Sequence, residues 1–72
     1  MDDDTALRIA HALLNGANVK DIAAINDCNI TDVYKAWETV AGRVKNPPGD
    51  CRNAREILIF KDEWRRLICA LG

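Results

Sequence analysis

The sequence predicts a small, mainly α-helical protein, with three to four helices in one domain. Two stretches begin in the same way: Asn18 is followed three residues later by Asp21, and Asn29 by Asp32. An Asn side chain accepts hydrogen bonds from the free N–H groups of a first helical turn, and an acidic residue three positions on favours the same helix end. A helix therefore starts after each Asn, and the short spacing leaves room only for a tight turn between the two helices.

Length and composition indicate one compact unit over residues 1–72. A chain of 72 residues is near the lower limit for a core that is stable alone, which favours a homodimer or a protein partner. The hydrophobic content of 49% excludes a disordered tail. The apolar runs are too short to cross a membrane, and the N-terminus is acidic where a signal peptide is basic. We therefore expect a cytoplasmic protein.

The sequence contains no recognisable catalytic or metal-binding pattern. Cys28, Cys51 and Cys69 lack the paired spacing of a zinc site, and His11 is the only histidine. No Ser-His-Asp or Cys-His set and no glycine-rich phosphate loop is present. We expect a non-enzymatic binding protein with no cofactor and no small-molecule substrate.

Charge is distributed unevenly along the chain. Residues 1–39 contain three Lys and Arg against seven Asp and Glu, a balance of −4. Residues 40–72 contain seven against four, a balance of +3. The second half is therefore the part suited to an acidic partner.

The first three helices are predicted from spacing and end signals. Residues 1–4 form a frayed acidic start, and the first helix then runs to the stop at Asn15-Gly16. The second helix covers residues 19–26, with Ile22, Ala23 and Ile25 facing inward. The third covers residues 30–42, and its inward stripe is Ile30, Val33, Trp37 and Val40.

The C-terminal part permits two interpretations. Residues 43–50 form a loop, because Pro47-Pro48 breaks a helix and Gly49 allows a sharp bend. Residues 53–71 have helical periodicity and predict one C-terminal helix. The rival interpretation makes the β-branched and aromatic residues 57–60 a short strand, followed by a shorter helix. If the segment is one helix, its apolar surface is wide, and we expect a partner or dimer surface formed by Leu58, Ile59, Trp64 and Arg65.

The stretch from Asn18 to Val40 resembles the helix-turn-helix of small bacterial and phage DNA-binding regulators. Ala23 matches the small residue where the two helices touch, Cys28 the small apolar residue after the turn, and Val33 the aliphatic anchor of the second helix. Asp27 departs from the pattern, because the family usually has Gly in the turn, and Asn26 stands where an apolar residue is usual. A weaker resemblance, to excisionase-like winged-helix domains, covers the loop and the C-terminal segment.

The resemblance implies a transcription regulator of the kind that phages and mobile elements encode, binding DNA as a dimer. Base contacts would come from Thr31, Tyr34 and Lys35, and phosphate contacts from Lys20, Arg43, Lys45, Arg52 and Arg55. The outward face of the third helix carries one cation and two carboxylates, which weakens this hypothesis. The alternative is a protein-binding adaptor or inhibitor that docks on a host protein.

Overall fold

The structure, a computed structural model, describes residues 2–71, which form five α-helices. They are α1 (Asp3–Leu14), α2 (Val19–Ile25), α3 (Ile30–Ala41), α4 (Ala54–Ile59) and α5 (Lys61–Leu71). No strand forms within that range, so the mainly α-helical class is confirmed. None of these helices combines the length and the apolar character needed to cross a membrane.

The acidic start of the chain belongs to α1. Asp2 is the cap, since its Oδ1 accepts a hydrogen bond from the Thr5 N–H at 2.8 Å. Asp3 and Asp4 lie in the first turn, where carboxylates stabilise the positive end of the helix dipole. Hydrogen bonding by Thr5 also lowers the pKa of Asp2. The frayed start predicted for residues 1–4 is therefore wrong for residues 2–4, and Met1 lies outside the described residues.

The central element is α3, which packs against α1 and α2. Val33, Trp37 and Val40 are buried as the stripe predicts. Ala36 and Ala41 of α3 are also buried. The other helices that complete the core are α1, α2 and α5, which contribute Ala6, Ile9, Ala10, Leu14, Ile22, Ala23, Trp64 and Ile68.

Two tryptophans join α5 to this core. The rings of Trp37 and Trp64 meet edge to face, with their centroids 4.9 Å apart. The indole N–H of Trp37 donates to the carbonyl oxygen of Cys51 at 2.8 Å, which attaches the loop after α3. The indole nitrogen of Trp64 is buried and has no hydrogen-bond partner within residues 2–71.

The C-terminal segment is helical but divided at Phe60. Phe60 has φ −100° and ψ 22°, outside the helical range, so neither the single helix over 53–71 nor the strand over 57–60 is correct. The Phe60 ring packs directly on the backbone of Gly49, because a Cβ there would lie 2.8 Å from the ring. Gly49 itself has φ +66°, a conformation that glycine adopts without strain. After this change of direction, α5 buries Trp64 and Ile68 in the core, whereas α4 contributes only the partly buried Ile57 at its edge.

We expect Trp37→Phe to destabilise the protein more than Trp64→Phe. Both substitutions remove ring volume from the same contact, but only the first removes a hydrogen bond and leaves the Cys51 carbonyl without its donor. The difference in the free energy of unfolding should be about 1 kcal/mol. Urea denaturation of the two variants, followed by circular dichroism, measures it. Equal losses, or a larger loss for Trp64→Phe, would contradict this account of the pair.

Candidate nucleic-acid interface

The α2 and α3 helices begin at the two Asn residues that the sequence singles out. The Asn18 side chain accepts from the Lys20 N–H at 2.8 Å. At α3 the capping is reciprocal, because Asn29 Oδ1 accepts from the Asp32 N–H at 2.9 Å and Asp32 Oδ2 accepts from the Asn29 N–H at 3.4 Å. Both predicted helix starts are confirmed, and each fixes the direction in which its helix leaves the turn.

The turn between α2 and α3 closes with a left-handed residue. Asp27 has φ +52°, and the backbone N–H groups of Asp27 and Cys28 donate to the carbonyls of Ala24 and Ala23 at 3.3 and 2.9 Å. This double closure satisfies two free carbonyls at the end of α2. Asp27 thus occupies the left-handed conformation for which Gly is the usual residue, and Asp is among the few others that tolerate it. Asp27 at this position therefore does not prevent the chain from closing a tight turn between α2 and α3.

The outward face of α3 consists of exposed polar side chains. Thr31, Lys35 and Glu38 are all exposed and lie opposite the buried stripe. Tyr34 is 52% exposed and lies to one side, where its ring borders an apolar groove between α3 and α4. This face is the one that a helix-turn-helix would present to a nucleic acid.

One edge of α3, which we call the basic flank, is formed by Lys20, Thr31, Tyr34 and Arg52. Lys20 borders a shallow hollow together with Thr31, at the start of α3. Arg52 borders a second hollow together with Tyr34 and Glu38, further along the same side. Lys20 thus lies near the start of α3, and Arg52 lies further along the same edge, beside the exposed Tyr34.

The opposite edge, which we call the acidic flank, is formed by Asp3 and Asp32. These two carboxylates border a common hollow with Lys35 and Thr39. Arg43 is directed to this side, because its guanidinium forms an ion pair with Asp3 at 2.6 Å. Asp3 and Asp32 thus lie on this side of α3, whereas Glu38 borders the hollow that contains Arg52.

The predicted DNA-contacting residues divide into two groups. Five of them lie on or beside α3: Thr31, Tyr34 and Lys35 belong to the helix, and Lys20 and Arg52 border hollows next to it. Arg43 is occupied by Asp3, while Lys45 lies exposed in the loop and Arg55 lies exposed on α4.

Two isoleucines predicted to face inward are exposed instead. Ile25 is 83% exposed and Ile30 is 40% exposed. Ile25 is the last residue of the seven-residue α2, in which only Ile22 and Ala23 are buried. Ile30 precedes the first buried turn of α3 and borders the hollow that contains Lys20 and Thr31. Periodicity alone placed both inside, because it does not register where a short helix leaves the core.

The predicted partner surface is only partly at the surface. Leu58 and Ile59 are exposed, but Trp64 is fully buried, so its assignment to this surface is wrong. Arg65 is half-buried and binds within the chain: its guanidinium donates to the Leu14 carbonyl at 3.3 Å and to Asn15 Oδ1 at 2.9 Å. It ties α5 to the end of α1 and satisfies a helix-terminal carbonyl there.

Comparison with protein-family models, curated proteins and solved structures found no match to this chain. Within residues 2–71, no three His, Cys, Asp or Glu side chains are grouped closely enough to hold a metal ion.

We expect Asp27→Gly to be more stable than Asp27→Ala by about 1 kcal/mol, since only glycine enters the left-handed region without a Cβ penalty. Both variants remove the same carboxylate, so each is the other's control for charge. Thermal unfolding followed by circular dichroism measures the difference. If the alanine variant is as stable as the glycine variant, position 27 does not adopt the left-handed conformation in solution.

Proposed function

We propose that this protein is a small, non-enzymatic DNA-binding regulator of transcription, of the helix-turn-helix kind found in phages and mobile elements. The observation that carries the proposal is the α2–turn–α3 unit. Its two helices are capped by Asn18 and Asn29, its turn is closed by a left-handed residue at Asp27, and it is supported from behind by α1. That arrangement leaves the polar face of α3 free to enter a major groove.

In this mode the first half of α3 contacts the bases. Thr31 and Lys35 offer a hydroxyl group and an ammonium group, both suited to acceptors on base edges. Ile30, exposed beside Thr31, offers an apolar contact of the kind that a thymine methyl group accepts. Tyr34 stands at the side of the helix, where its hydroxyl can reach the sugar-phosphate backbone.

The basic flank supplies the phosphate contacts. Lys20 and Arg52 lie on the same side of α3, separated by Tyr34, and within residues 2–71 neither forms an ion pair with a carboxylate. Such cations release counterions from DNA on binding, which makes the affinity dependent on salt. Asp3 and Asp32 lie on the far side of α3, whereas Glu38 lies beside Arg52 and opposes the phosphates.

We expect Lys20→Ala and Arg52→Ala each to weaken binding to duplex DNA of mixed sequence, and to reduce the slope of log affinity against log salt by about one. Fluorescence anisotropy over a salt series measures both quantities. Arg66→Ala is the matched control, because it removes the same charge from the exposed side of α5. An equal effect of all three variants would indicate attraction by bulk charge, and an absence of binding even at low salt would refute the proposal.

We expect Glu38→Gln to strengthen DNA binding by about threefold at low salt, because it removes a carboxylate repelled by phosphates from the outward face of α3. Glu63→Gln, which makes the same change at an exposed position on α5, should leave the affinity almost unchanged. The same anisotropy assay compares them. No gain for Glu38→Gln would mean that α3 does not face the nucleic acid.

A second candidate function, a protein-binding adaptor or inhibitor, is favoured by one observation. The groove of about 220 Å³ between the end of α1, α3 and α4 is lined by apolar and aromatic residues with no charged side chain. A protein that is not retained on DNA at low salt, and whose Glu38→Gln variant behaves like the wild type, would favour this candidate over the first.

A further inference from the structure

We propose, resting on the DNA-binding function proposed above, that Asp3 restrains the affinity for DNA by holding Arg43 away from the phosphates. The ion pair between them is an autoinhibitory contact within the chain. Releasing Arg43 adds one phosphate contact to the interface, on the edge of α3 opposite the basic flank.

The ion pair joins two distant parts of the chain at the surface. The guanidinium group of Arg43 donates to Asp3 Oδ1 at 2.6 Å, across forty residues of sequence. The two side chains are 40% and 68% exposed, so solvent and ions reach both. Lys20 and Arg52, by contrast, have no carboxylate partner within residues 2–71. Arg43 is thus a predicted phosphate contact that the fold already pairs with an anion.

Arg43 continues a row of side chains along one side of α3. Gly42 keeps helical dihedral angles, φ −65° and ψ −17°, and the Arg43 N–H donates to the carbonyl three residues before it at 3.1 Å. Arg43 therefore follows Lys35 and Thr39 at four-residue intervals, the spacing of neighbours on one helix face. Lys35 and Thr39 border the same hollow as Asp3. The arginine thus starts from the edge of α3 that carries a predicted base contact.

The two edges of α3 would meet different strands of the DNA. A helix that lies in the major groove has a sugar-phosphate backbone on each side. Lys20 and Arg52 serve one backbone, while the edge with Asp3 and Asp32 faces the other. Arg43 is a cation that this second edge can offer, and on binding a phosphate it would release a counterion. While Asp3 holds it, the edge presents its carboxylates without that compensation.

Fluorescence anisotropy with duplex DNA of mixed sequence, over a salt series, tests the contact. We expect Asp3→Asn to raise the affinity about threefold at low salt and to steepen the slope of log affinity against log salt by about one. Asp4→Asn is the matched control, because it removes the same charge from an exposed residue in the same first turn of α1. It should leave the slope unchanged. Circular dichroism confirms that both variants are folded.

A double variant assigns the gain to Arg43. Arg43→Ala alone should leave the slope of the wild type unchanged, because Asp3 already occupies the arginine. Added to Asp3→Asn, the same substitution should remove the whole gain in affinity and restore the wild-type slope. A gain that survives Arg43→Ala, or equal gains for Asp3→Asn and Asp4→Asn, would overturn the proposal.

The outcome for Lys20→Ala separates this proposal from the proposed function. If Lys20→Ala still reduces the slope while Asp3→Asn has no effect beyond its control, DNA binding stands and the autoinhibitory contact is refuted. If neither the wild type nor Asp3→Asn binds DNA at low salt, both are refuted. Binding by Asp3→Asn that is far stronger than that of the wild type, and lost with Arg43→Ala, supports both.

Discussion

The contact between Trp37 and Trp64 is the interaction on which the rest of the structure depends. It places the largest side chain of α3 against the largest side chain of α5, and the Trp37 indole also holds the Cys51 carbonyl. A domain of this size has few other large side chains with which to fill its centre. Together with Ile68 and the hydrogen bonds from Arg65 to the end of α1, this pair holds α5 and the loop after α3 against the first three helices.

The attachment of the loop to Trp37 helps to determine which side chains lie beside α3 in the candidate interface. The loop that Trp37 holds continues into Arg52, so the same hydrogen bond places a cation beside Tyr34. At the other end of α3, the Asn29 cap and the left-handed turn fix the hollow that contains Lys20. The basic flank is thus assembled from three separate parts of the chain, while Asp3 and Asp32 gather on the other side. An acidic protein can in this way present a locally basic edge.

The division of the C-terminal segment at Phe60 determines which of its side chains are buried. The non-helical residue at the division, Phe60, covers Gly49, and the helix that follows it buries Trp64 and Ile68 in the core. On α4, before the break, Leu58 lines the apolar groove against α3 and Ile59 is 73% exposed.

The sequence by itself determined the helical class, the starts of α2 and α3, the stop at Asn15-Gly16 and the buried stripe of Val33, Trp37 and Val40. These features depend on hydrogen bonds and spacings within a few residues, which are visible in the chain without its fold. The tertiary structure decided that Ile25 is exposed and Trp64 buried, that Arg43 and Arg65 bind within the chain, and that the C-terminal segment breaks at Phe60. Each of those outcomes depends on whether the side chain meets residues that are distant in sequence. Local periodicity carries no information about such contacts.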